Sequence, residues 1–352
     1  MSSRPELPSS LVQTIPWNEE EGAIWFGSSL ILRRNLAHHN FPSKLSPPER
    51  EQVLQALQNG LKGIENPHFY HQKELSSADR ELVYEHFLFL RGFEELPDGS
   101  GLAIDEKGEF LALFNTGNHL EMRALNLTSN WETTWNALAS IEDQIDKAQG
   151  FAFSPKFGYL TSDPAQCGTG LTIYAYLHLP ALIHSQQLES ALAGNDEVLF
   201  MGLSGDLMEL TGDIIVAQNN FSIGMSEEAI LHTLQGIVTK LIGAEKTMRS
   251  HLKEQPRSEI KDLISKAFGL LVHSYQLETK EALDLLSLMK LGLVLGEIGN
   301  VSDRKLSELF FKCRRGHLMH LFPELKEPEE IAKKRAAYLQ QQLSGIRLTS
   351  ET

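Results

Sequence analysis

The stretch that decides the fold runs Tyr159-Leu-Thr-Ser-Asp-Pro-Ala-Gln-Cys-Gly-Thr-Gly-Leu-Thr172 and continues into Leu177-His-Leu-Pro-Ala-Leu182. Gly168 and Gly170, which are separated by one residue, follow Pro164, and this composition is typical of a loop. No Gly-x-x-x-x-Gly-Lys phosphate loop and no metal-ligand spacing occurs in the sequence. The chemistry of this loop therefore has to be judged from its individual side chains.

The loop resembles the signature loop of the phosphagen kinases (ATP:guanidino phosphotransferases), most closely that of the bacterial protein-arginine kinases. In that family the loop has the form Tyr-Leu-Thr-x-Cys-Pro-Thr-Asn-hydrophobic-Gly-Thr-Gly-Leu-Arg, followed by His-hydrophobic-Pro-Ala-Leu. The glycines and the proline of the pattern are present here. Asp163 stands at the family's reactive cysteine, and Thr172 stands at an ATP-binding arginine. The resemblance thus implies a relative that keeps the loop but lacks its chemical groups.

A second match is the stretch Ile24-Trp-Phe-Gly-Ser-Ser-Leu-Ile-Leu-Arg-Arg-Asn35, which is similar to the family's Ser-Ser-Arg-x-Arg-Leu-Ala-Arg-Asn. When the two are aligned on the final Arg-Asn pair, the family's two phosphate-binding arginines fall on Ser29 and Ile31. Arg33 and Arg34 cannot replace both, because adjacent residues of a strand point to opposite faces.

Two further matches complete the implied site. The stretch Asn115-Thr-Gly-Asn-His-Leu-Glu121 resembles the family's Asn-Glu-Glu-Asp-His-x-Arg. Thr116 and Gly117 therefore replace two glutamates, and Glu121 replaces a phosphate-binding arginine. One of those glutamates is the carboxylate that holds and deprotonates the guanidinium. Met201-Gly-Leu-Ser-Gly-Asp206 resembles Arg-Gly-x-x-Gly-Glu, with Met201 at the fifth arginine and Asp206 at the glutamate.

Phosphoryl transfer depends on positioning and on neutralising the charge that builds on the transferring group. The family does this with arginines, whose planar guanidinium groups bind phosphate oxygens bidentately. By this alignment all five are replaced. We expect the five positions, together with those of the missing glutamate and cysteine, to converge on one concave surface. These positions are Ser29, Ile31, Thr116, Glu121, Asp163, Thr172 and Met201.

Several residues allow two interpretations. Arg123 is either a plain surface arginine, which we favour, or a site residue reached by a shift of two positions along a strand. Cys167 is interpreted as a small core side chain in preference to a relocated thiolate. Asp163 could imitate the negative charge of the missing thiolate. His119 and His178 stand at positions that the family uses near the nucleotide, and each could equally be a hydrogen-bonded core histidine.

Composition bounds the fold class and the location. The chain has 352 residues, a formal net charge of −14 and two cysteines. The negative charge argues against nucleic-acid binding, and the few cysteines fit a reducing cytoplasm. The N-terminus lacks the pattern of a signal peptide, and no apolar run is long enough for a membrane helix. We expect a cytoplasmic protein without nucleic-acid or membrane contacts.

The hydrophobic patterns predict an α+β fold, an antiparallel sheet flanked by helices, followed by a helical domain. We divide the chain into a lead-in (1–22), a phosphagen-kinase-like domain (23–252) and a helical dimerisation domain (257–352). The clearest local prediction is a β-hairpin over 101–114 that turns at 106–108. Beyond residue 257 only helices are expected. We predict that the helical domain forms a homodimer, because it carries a run of apolar residues: Leu283, Leu286, Met289, Leu293 and Ile298.

In protein-arginine kinases a motif Arg-Asp-x-x-Arg-Ala of the helical domain binds phosphoarginine. The matching stretch here keeps Arg335 and lacks the first Arg-Asp. Lys333, Lys334 and Arg335 could form an anion site, although a solvated basic helix face is the favoured interpretation.

Two functional hypotheses follow. The first is a catalytically inactive pseudokinase that needs no cofactor and acts by binding. The resemblance suggests as its partners a zinc-binding activator protein and the Clp protease machinery. The second is a divergent, active ATP:guanidino phosphotransferase that phosphorylates protein arginine with ATP and Mg²⁺. The replaced arginines favour the first hypothesis.

Overall fold

The computed structural model describes residues 6–18, 20, 22–61, 67–90, 96–128 and 130–349. Numbered in chain order, its strands are β1 (Trp25–Arg34), β2 (His68–His71), β3 (Gly101–Ile104), β4 (Phe110–Phe114), β5 (Leu120–Asn126), β6 (Phe153–Ser154), β7 (Gly158–Tyr159), β8 (Leu171–His178), β9 (Val198–Met201), β10 (Ile214–Asn219), β11 (Ile298–Gly299) and β12 (Arg347–Leu348). Its α-helices are α1 (Ser10–Gln13), α2 (Pro47–Leu61), α3 (Ser77–His86), α4 (Trp131–Gln149), α5 (Pro180–His184), α6 (Leu188–Leu192), α7 (Glu227–Glu254), α8 (Ser258–His273), α9 (Thr279–Leu295), α10 (Asp303–Lys312), α11 (Arg315–Leu321) and α12 (Pro328–Gln342).

A sheet of eight strands forms the centre of the molecule, in the order β2-β3-β4-β5-β1-β8-β10-β9. Every pairing within it is antiparallel, which confirms the predicted α+β class with an antiparallel sheet. The predicted hairpin is also confirmed: Gly101 pairs with Phe114, and Gly108 in the turn has φ +74°.

The two faces of the sheet pack against different parts of the chain, because successive side chains of a strand alternate between faces. On one face Leu30, Leu32 and Ile173 join the core that includes residues of α2, α4 and α7. The opposite face, which we call the cleft face, carries Ser29 and Ile31. It is covered by α3, by the N-terminal segment through Leu11 and Trp17, and by the C-terminal helices.

The region beyond residue 257 is mainly helical, but the expectation of helix alone is wrong. β11 and β12 form a two-stranded antiparallel sheet in which Ile298 pairs with Leu348 and Gly299 with Arg347. These strands have two residues each and their partners are far apart in sequence, so no local periodicity announces them. The spacing of Val53, Leu54, Leu57 and Leu61 predicts a helix that runs to about residue 63, and this predicted end lies outside the described residues.

The apolar residues on which the homodimer prediction rested are covered within the chain itself. Leu283, Leu286, Met289 and Ile298 are all buried, and Leu293 packs against the same core. That core also contains Tyr176 and Val216 of the sheet. The argument for a surplus of apolar surface on these residues is therefore wrong. Within the described residues, no helix is long and apolar enough to cross a membrane.

Candidate functional site

The strand register puts all five replaced arginine positions on the cleft face and brings four of them close together. Ile31 pairs with Arg123 of β5 on one side and with Thr172 of β8 on the other. Ser29 lies two residues before Ile31, on the same face. Glu121 lies two residues before Arg123, opposite Arg33.

Met201, the fifth position, is farther away. It pairs with Val216 of β10, which pairs in turn with Tyr176 of β8. Two strand spacings and four residues along the sheet separate it from Thr172, roughly 16 Å between Cα atoms. Asp206 lies in the exposed loop after β9, where its carboxylate accepts the backbone N–H of Met208 at 2.9 Å. These two residues therefore lie apart from the other replaced positions.

A buried ion-pair cluster occupies the cleft face at β1 and β5. The Nε of Arg33 donates to Oε2 of Glu121 at 3.0 Å, and its Nη1 donates to the Thr172 hydroxyl at 2.8 Å. The Nη2 of Arg123 lies 3.6 Å from Oε1 of the same carboxylate. Arg33 is 8% exposed and Arg123 is 4% exposed. Glu121 thus holds two buried guanidinium groups where the family resemblance implies phosphate.

The interpretation of Arg123 as a plain surface arginine is wrong. Its side chain is buried because residues after α3 lie over it: Nη1 donates to the Phe87 carbonyl at 3.1 Å, and the guanidinium lies 3.8 Å from the ring centre of Phe89. The neighbouring Leu88 carbonyl accepts the hydroxyl of Tyr176 at 2.6 Å. Sequence reasoning missed this covering segment, although the spacing of two from Glu121 did place Arg123 on the correct face.

Arg34 points away from this cluster, as the alternation of a strand requires. On the opposite face its Nε donates to Glu142 at 2.6 Å and its Nη1 to the Thr169 carbonyl at 2.9 Å. The guanidinium also lies 3.5 Å from the ring centre of Tyr159. Arg34 therefore attaches the signature loop to β1 and is not available on the cleft face.

The positions implied for the catalytic carboxylate and the reactive cysteine lie in two adjacent loops. Ser162 donates through its backbone N–H to Asn118 Oδ1 at 2.8 Å and through its hydroxyl to the Gly117 carbonyl. Thr116 and Gly117 carry no acid at this point. Asp163 is exposed and accepts the backbone N–H of Ala165 at 3.0 Å, so its carboxylate caps a turn.

The retained glycines of the signature loop have a packing role that is independent of catalysis. Gly168 has φ +105°, a region that favours glycine, and its backbone pairs with that of Tyr159. A Cβ at this position would lie 2.8 Å from the Ile223 Cα and closer still to the Ser222 carbonyl oxygen. A loop of this shape requires glycine here whether or not the protein is a kinase.

We predict that Gly168→Ala lowers the free energy of unfolding by about 1–3 kcal/mol, because the new methyl group meets backbone atoms and the backbone is strained. Gly236→Ala is the matched control, since no atom lies within 4 Å of a Cβ at this position of α7. The control should be stabilising by about 0.5–1 kcal/mol. Urea denaturation of both variants measures the difference, and equal signs would contradict the packing argument.

The two histidines and Cys167 are packed into the fold. His119 Nδ1 accepts the Leu36 N–H at 3.0 Å and its Nε2 lies 2.8 Å from the Asn40 carbonyl; burial lowers its pKa to about 4. His178 Nε2 lies 2.7 Å from the Ser287 hydroxyl, and burial lowers its pKa well below the ordinary value. The buried Cys167 thiol lies 3.6 Å from the Thr161 hydroxyl. These contacts favour the interpretation as structural residues.

The three basic residues near the C-terminus do not share a solvated face. Arg335 is buried, donating to the carbonyls of Cys313 at 2.7 Å and Leu277 at 2.6 Å. Lys333 pairs with Glu329, and Lys334 lies 3.8 Å from the ring centre of Phe322. The hypothesis of an anion site built from all three is therefore wrong, because the Arg335 guanidinium is committed to backbone carbonyls.

A cavity of about 670 Å³ borders β5, the strand that also carries Glu121 and Arg123. It borders Leu125, which pairs with Ser29, and extends between the N-terminal segment and α10, where Trp17 and Asp303 line it. Ile31, Glu121, Thr172 and Met201 do not line it. Within the described part of the chain, no group of three or more His, Cys, Asp or Glu side chains is arranged to hold a metal ion.

Comparison with known protein families gives two matches. A model described as the C-terminal catalytic domain of ATP:guanido phosphotransferase matches residues 50–248. A model of the protein-arginine kinase McsB C-terminal domain matches residues 257–352.

Curated proteins named protein-arginine kinase are similar over nearly the whole chain. That of Chlamydia pneumoniae is 32% identical over 340 residues, covering 95% of each chain. That of Halothermothrix orenii is 27% identical over 348 residues, covering 98% of this chain and all of the relative.

Solved structures of lower identity share the fold. A lombricine kinase superposes with a TM-score of 0.57 at 18% identity, covering 71% of this chain and 74% of that one. The duplicated taurocyamine kinase of Schistosoma mansoni gives a TM-score of 0.58 at 23% identity, covering 67% of this chain and 35% of that one.

Proposed function

The chain belongs to the ATP:guanido phosphotransferase family and is similar to the protein-arginine kinases, and we propose that it is a pseudokinase that acts by binding. The observation that carries the proposal is the buried cluster of Arg33, Glu121 and Arg123 on the cleft face. To bind its phosphates at this cluster, a nucleoside triphosphate would have to displace the Glu121 carboxylate from both guanidinium groups.

The energetics oppose that displacement. The Glu121 side chain is 15% exposed and its two partners are buried, so separating the carboxylate from them costs at most about 3–5 kcal/mol, the cost that is typical of a fully buried pair. A phosphate approaching Glu121 would also meet like charge, on the order of 4 kcal/mol per contact at about 4 Å and an effective dielectric near 20. With no acid at Thr116 or Gly117 to accept a proton from a guanidinium, the site lacks the base as well as the phosphate ligands.

A divergent active kinase is the second candidate, and two observations favour it. Relatives with 32% and 34% identity carry the name protein-arginine kinase. In addition, Arg33 and Arg123 lie on the cleft face, so a rebuilt phosphate site would have two cations available if Glu121 moved away. In that case ATP and Mg²⁺ would be required, and protein arginine would be the substrate.

We predict that ATP–Mg²⁺ at millimolar concentration does not raise the melting temperature of the protein, because a ligand stabilises a fold only by binding it. We also expect no ATP-dependent phosphoarginine on protein substrates by mass spectrometry. The protein-arginine kinase of Chlamydia pneumoniae, assayed in parallel, is the positive control. Phosphoarginine that depends on both this chain and ATP would establish the second candidate in place of the first.

Restoring a single arginine tests whether the remainder of the site could support kinase activity. Thr172→Arg and Met201→Arg are expected to remain without kinase activity, since each restores one of five cations and neither restores the base. Activity gained by either variant would indicate that the rest of the site is intact, against the pseudokinase proposal.

The proposal includes the cytoplasm as location and, as partners, a zinc-binding activator protein and Clp protease components. It also includes self-association through the helical region, where Leu263, Leu270 and Tyr275 are exposed in and just after α8. Light scattering of the wild type and of Leu263→Ser/Leu270→Ser at micromolar concentration tests self-association, which the paired substitutions should abolish.

A further inference from the structure

The stretch that contains β8, β9 and β10, at one end of the sheet, has an unusual distribution of charge. Between Phe157 and Thr239 the sequence contains no lysine and no arginine. The same stretch contains nine acidic residues, more than half of the formal net charge of −14: Asp163, Glu189, Asp196, Glu197, Asp206, Glu209, Asp213, Glu227 and Glu228. Because the stretch itself supplies no lysine or arginine, its exposed acids contribute a negative potential at this surface.

Large apolar side chains are exposed in the same stretch. More than half of the large hydrophobic residues exposed in the described chain belong to it: Phe157, Leu199, Leu207, Met208, Phe221, Ile223 and Met225. Scattered apolar residues on a surface need no explanation, but a contiguous patch rimmed by polar groups is typical of an interaction site.

Backbone contacts show that several of these residues are contiguous. The Phe221–Met225 loop lies against the signature loop, because Ser222 Oγ donates to the Cys167 carbonyl at 2.7 Å and Thr169 N–H donates to the Ser222 carbonyl at 3.3 Å. The turn that ends at Phe157 adjoins the signature loop through the pairing of Tyr159 with Gly168.

Acidic residues lie in the segments that adjoin this patch. Asn220 contacts the Asp196 carbonyl through its side chain at 3.2 Å and the Glu197 carbonyl through its N–H at 3.0 Å. A cavity of about 180 Å³ is lined by Glu197, Phe221 and Met225 among others. Glu227 and Glu228 follow the loop at the start of α7, and Asp163 lies in the turn before Cys167. Lys156, which lies over the Phe157 ring, is a single cation at the edge.

We propose that this patch, formed by Phe157, Phe221, Ile223 and Met225 with its acidic border, is the docking surface for a basic segment of another protein that carries apolar anchor residues. Complementary charge favours that occupant and disfavours the alternatives. A second copy of this chain would bring the same acids against the border. Nucleic acids and anionic lipid surfaces carry charge of the wrong sign. The inference concerns docking and holds whether or not the cleft binds nucleotide.

The recognition requires both parts of the patch. The acids accelerate the encounter and select positive charge, lysine as well as arginine, while the apolar side chains are desolvated on contact and retain the partner. Binding should therefore weaken with added salt without vanishing, since burial of apolar surface is insensitive to screening.

The test uses fluorescence anisotropy with three labelled probe peptides of equal length. They are an amphipathic Leu/Lys peptide, its Leu/Glu counterpart and an apolar-free Gly/Lys peptide. The full chain should bind the Leu/Lys peptide at least about tenfold more tightly than the other two, a difference of roughly 1.4 kcal/mol. Equal binding of the Leu/Glu peptide, or of the Gly/Lys peptide, would overturn the proposal.

Substitutions in the patch test whether the Leu/Lys peptide binds there. Phe221→Ser/Ile223→Ser and, separately, Asp196→Asn/Glu197→Gln/Glu228→Gln should each weaken Leu/Lys binding about tenfold with unchanged melting temperatures. The matched controls are Phe41→Ser/Leu321→Ser and Glu254→Gln/Glu259→Gln/Asp262→Asn, which remove the same number of exposed apolar or acidic groups elsewhere. Equal losses in patch and control variants indicate general attraction to an acidic protein and refute the proposal. Loss of self-association in the Phe221→Ser/Ile223→Ser variant would assign the patch to a second copy of the chain and refute it too.

Discussion

Glu121→Arg should lower the free energy of unfolding by about 3–5 kcal/mol, even though the family pattern has arginine at this position. The substitution removes the carboxylate that pairs with Arg33 and Arg123 and adds a third guanidinium next to them. All three would lie on one buried face without an anion. Urea denaturation monitored by circular dichroism measures the loss.

The control for this prediction is Glu109→Arg, which reverses an exposed acid near the same sheet. It should change stability by no more than about 0.5 kcal/mol. A triple variant, Glu121→Arg/Arg33→Ala/Arg123→Gln, should recover most of the lost stability, because it removes the like charges that the first substitution brings together. A Glu121→Arg protein as stable as the wild type would mean that Glu121 does not hold the two arginines.

Some predictions held because they depend on periodicities within single strands. The hairpin at 101–114 depends on local information, namely alternating apolar residues and a glycine suited to φ +74° in the turn. The positions of Ser29, Ile31, Glu121 and Thr172 on a common face follow from strand alternation once the strands are aligned. The hairpin and the common face of these four residues both follow from the alternation of side chains that any strand obeys.

The predictions that failed depended on which other part of the chain covers a residue. Arg123 is buried because Phe87 and Phe89 lie over it, and nothing in the sequence near Arg123 signals that. Arg335 donates to the carbonyls of Leu277 and Cys313, which lie on other elements of the helical region. Leu286 was assigned to a dimer interface, although it is buried in a core of the same chain that also contains Tyr176 and Val216. Long-range burial is the information that one sequence does not contain.

Replacing Glu245 should be equally costly, for a reason outside the cleft. Glu245 of α7 is fully buried and its carboxylate accepts the backbone N–H groups of Ala181 at 3.0 Å and Leu182 at 2.9 Å, at the start of α5. It also pairs with Arg249 at 2.8 Å, and Arg249 is itself buried. Glu245→Ala would leave a buried guanidinium and two helix N–H groups without their partner. We expect a loss of about 3–5 kcal/mol in the free energy of unfolding.

Asp262→Ala is the matched control, since Asp262 pairs with Lys266 at the same helical spacing and at 2.6 Å, but with both side chains mostly exposed. Exposed pairs of this kind contribute little, so the control should lose at most about 0.5 kcal/mol. Glu245→Ala/Arg249→Leu should be more stable than Glu245→Ala alone, because the second substitution removes the uncompensated charge. Equal losses in Glu245→Ala and Asp262→Ala would show that burial does not determine the strength of this pair, and would also weaken the argument for the cluster at Glu121, which rests on the same physics.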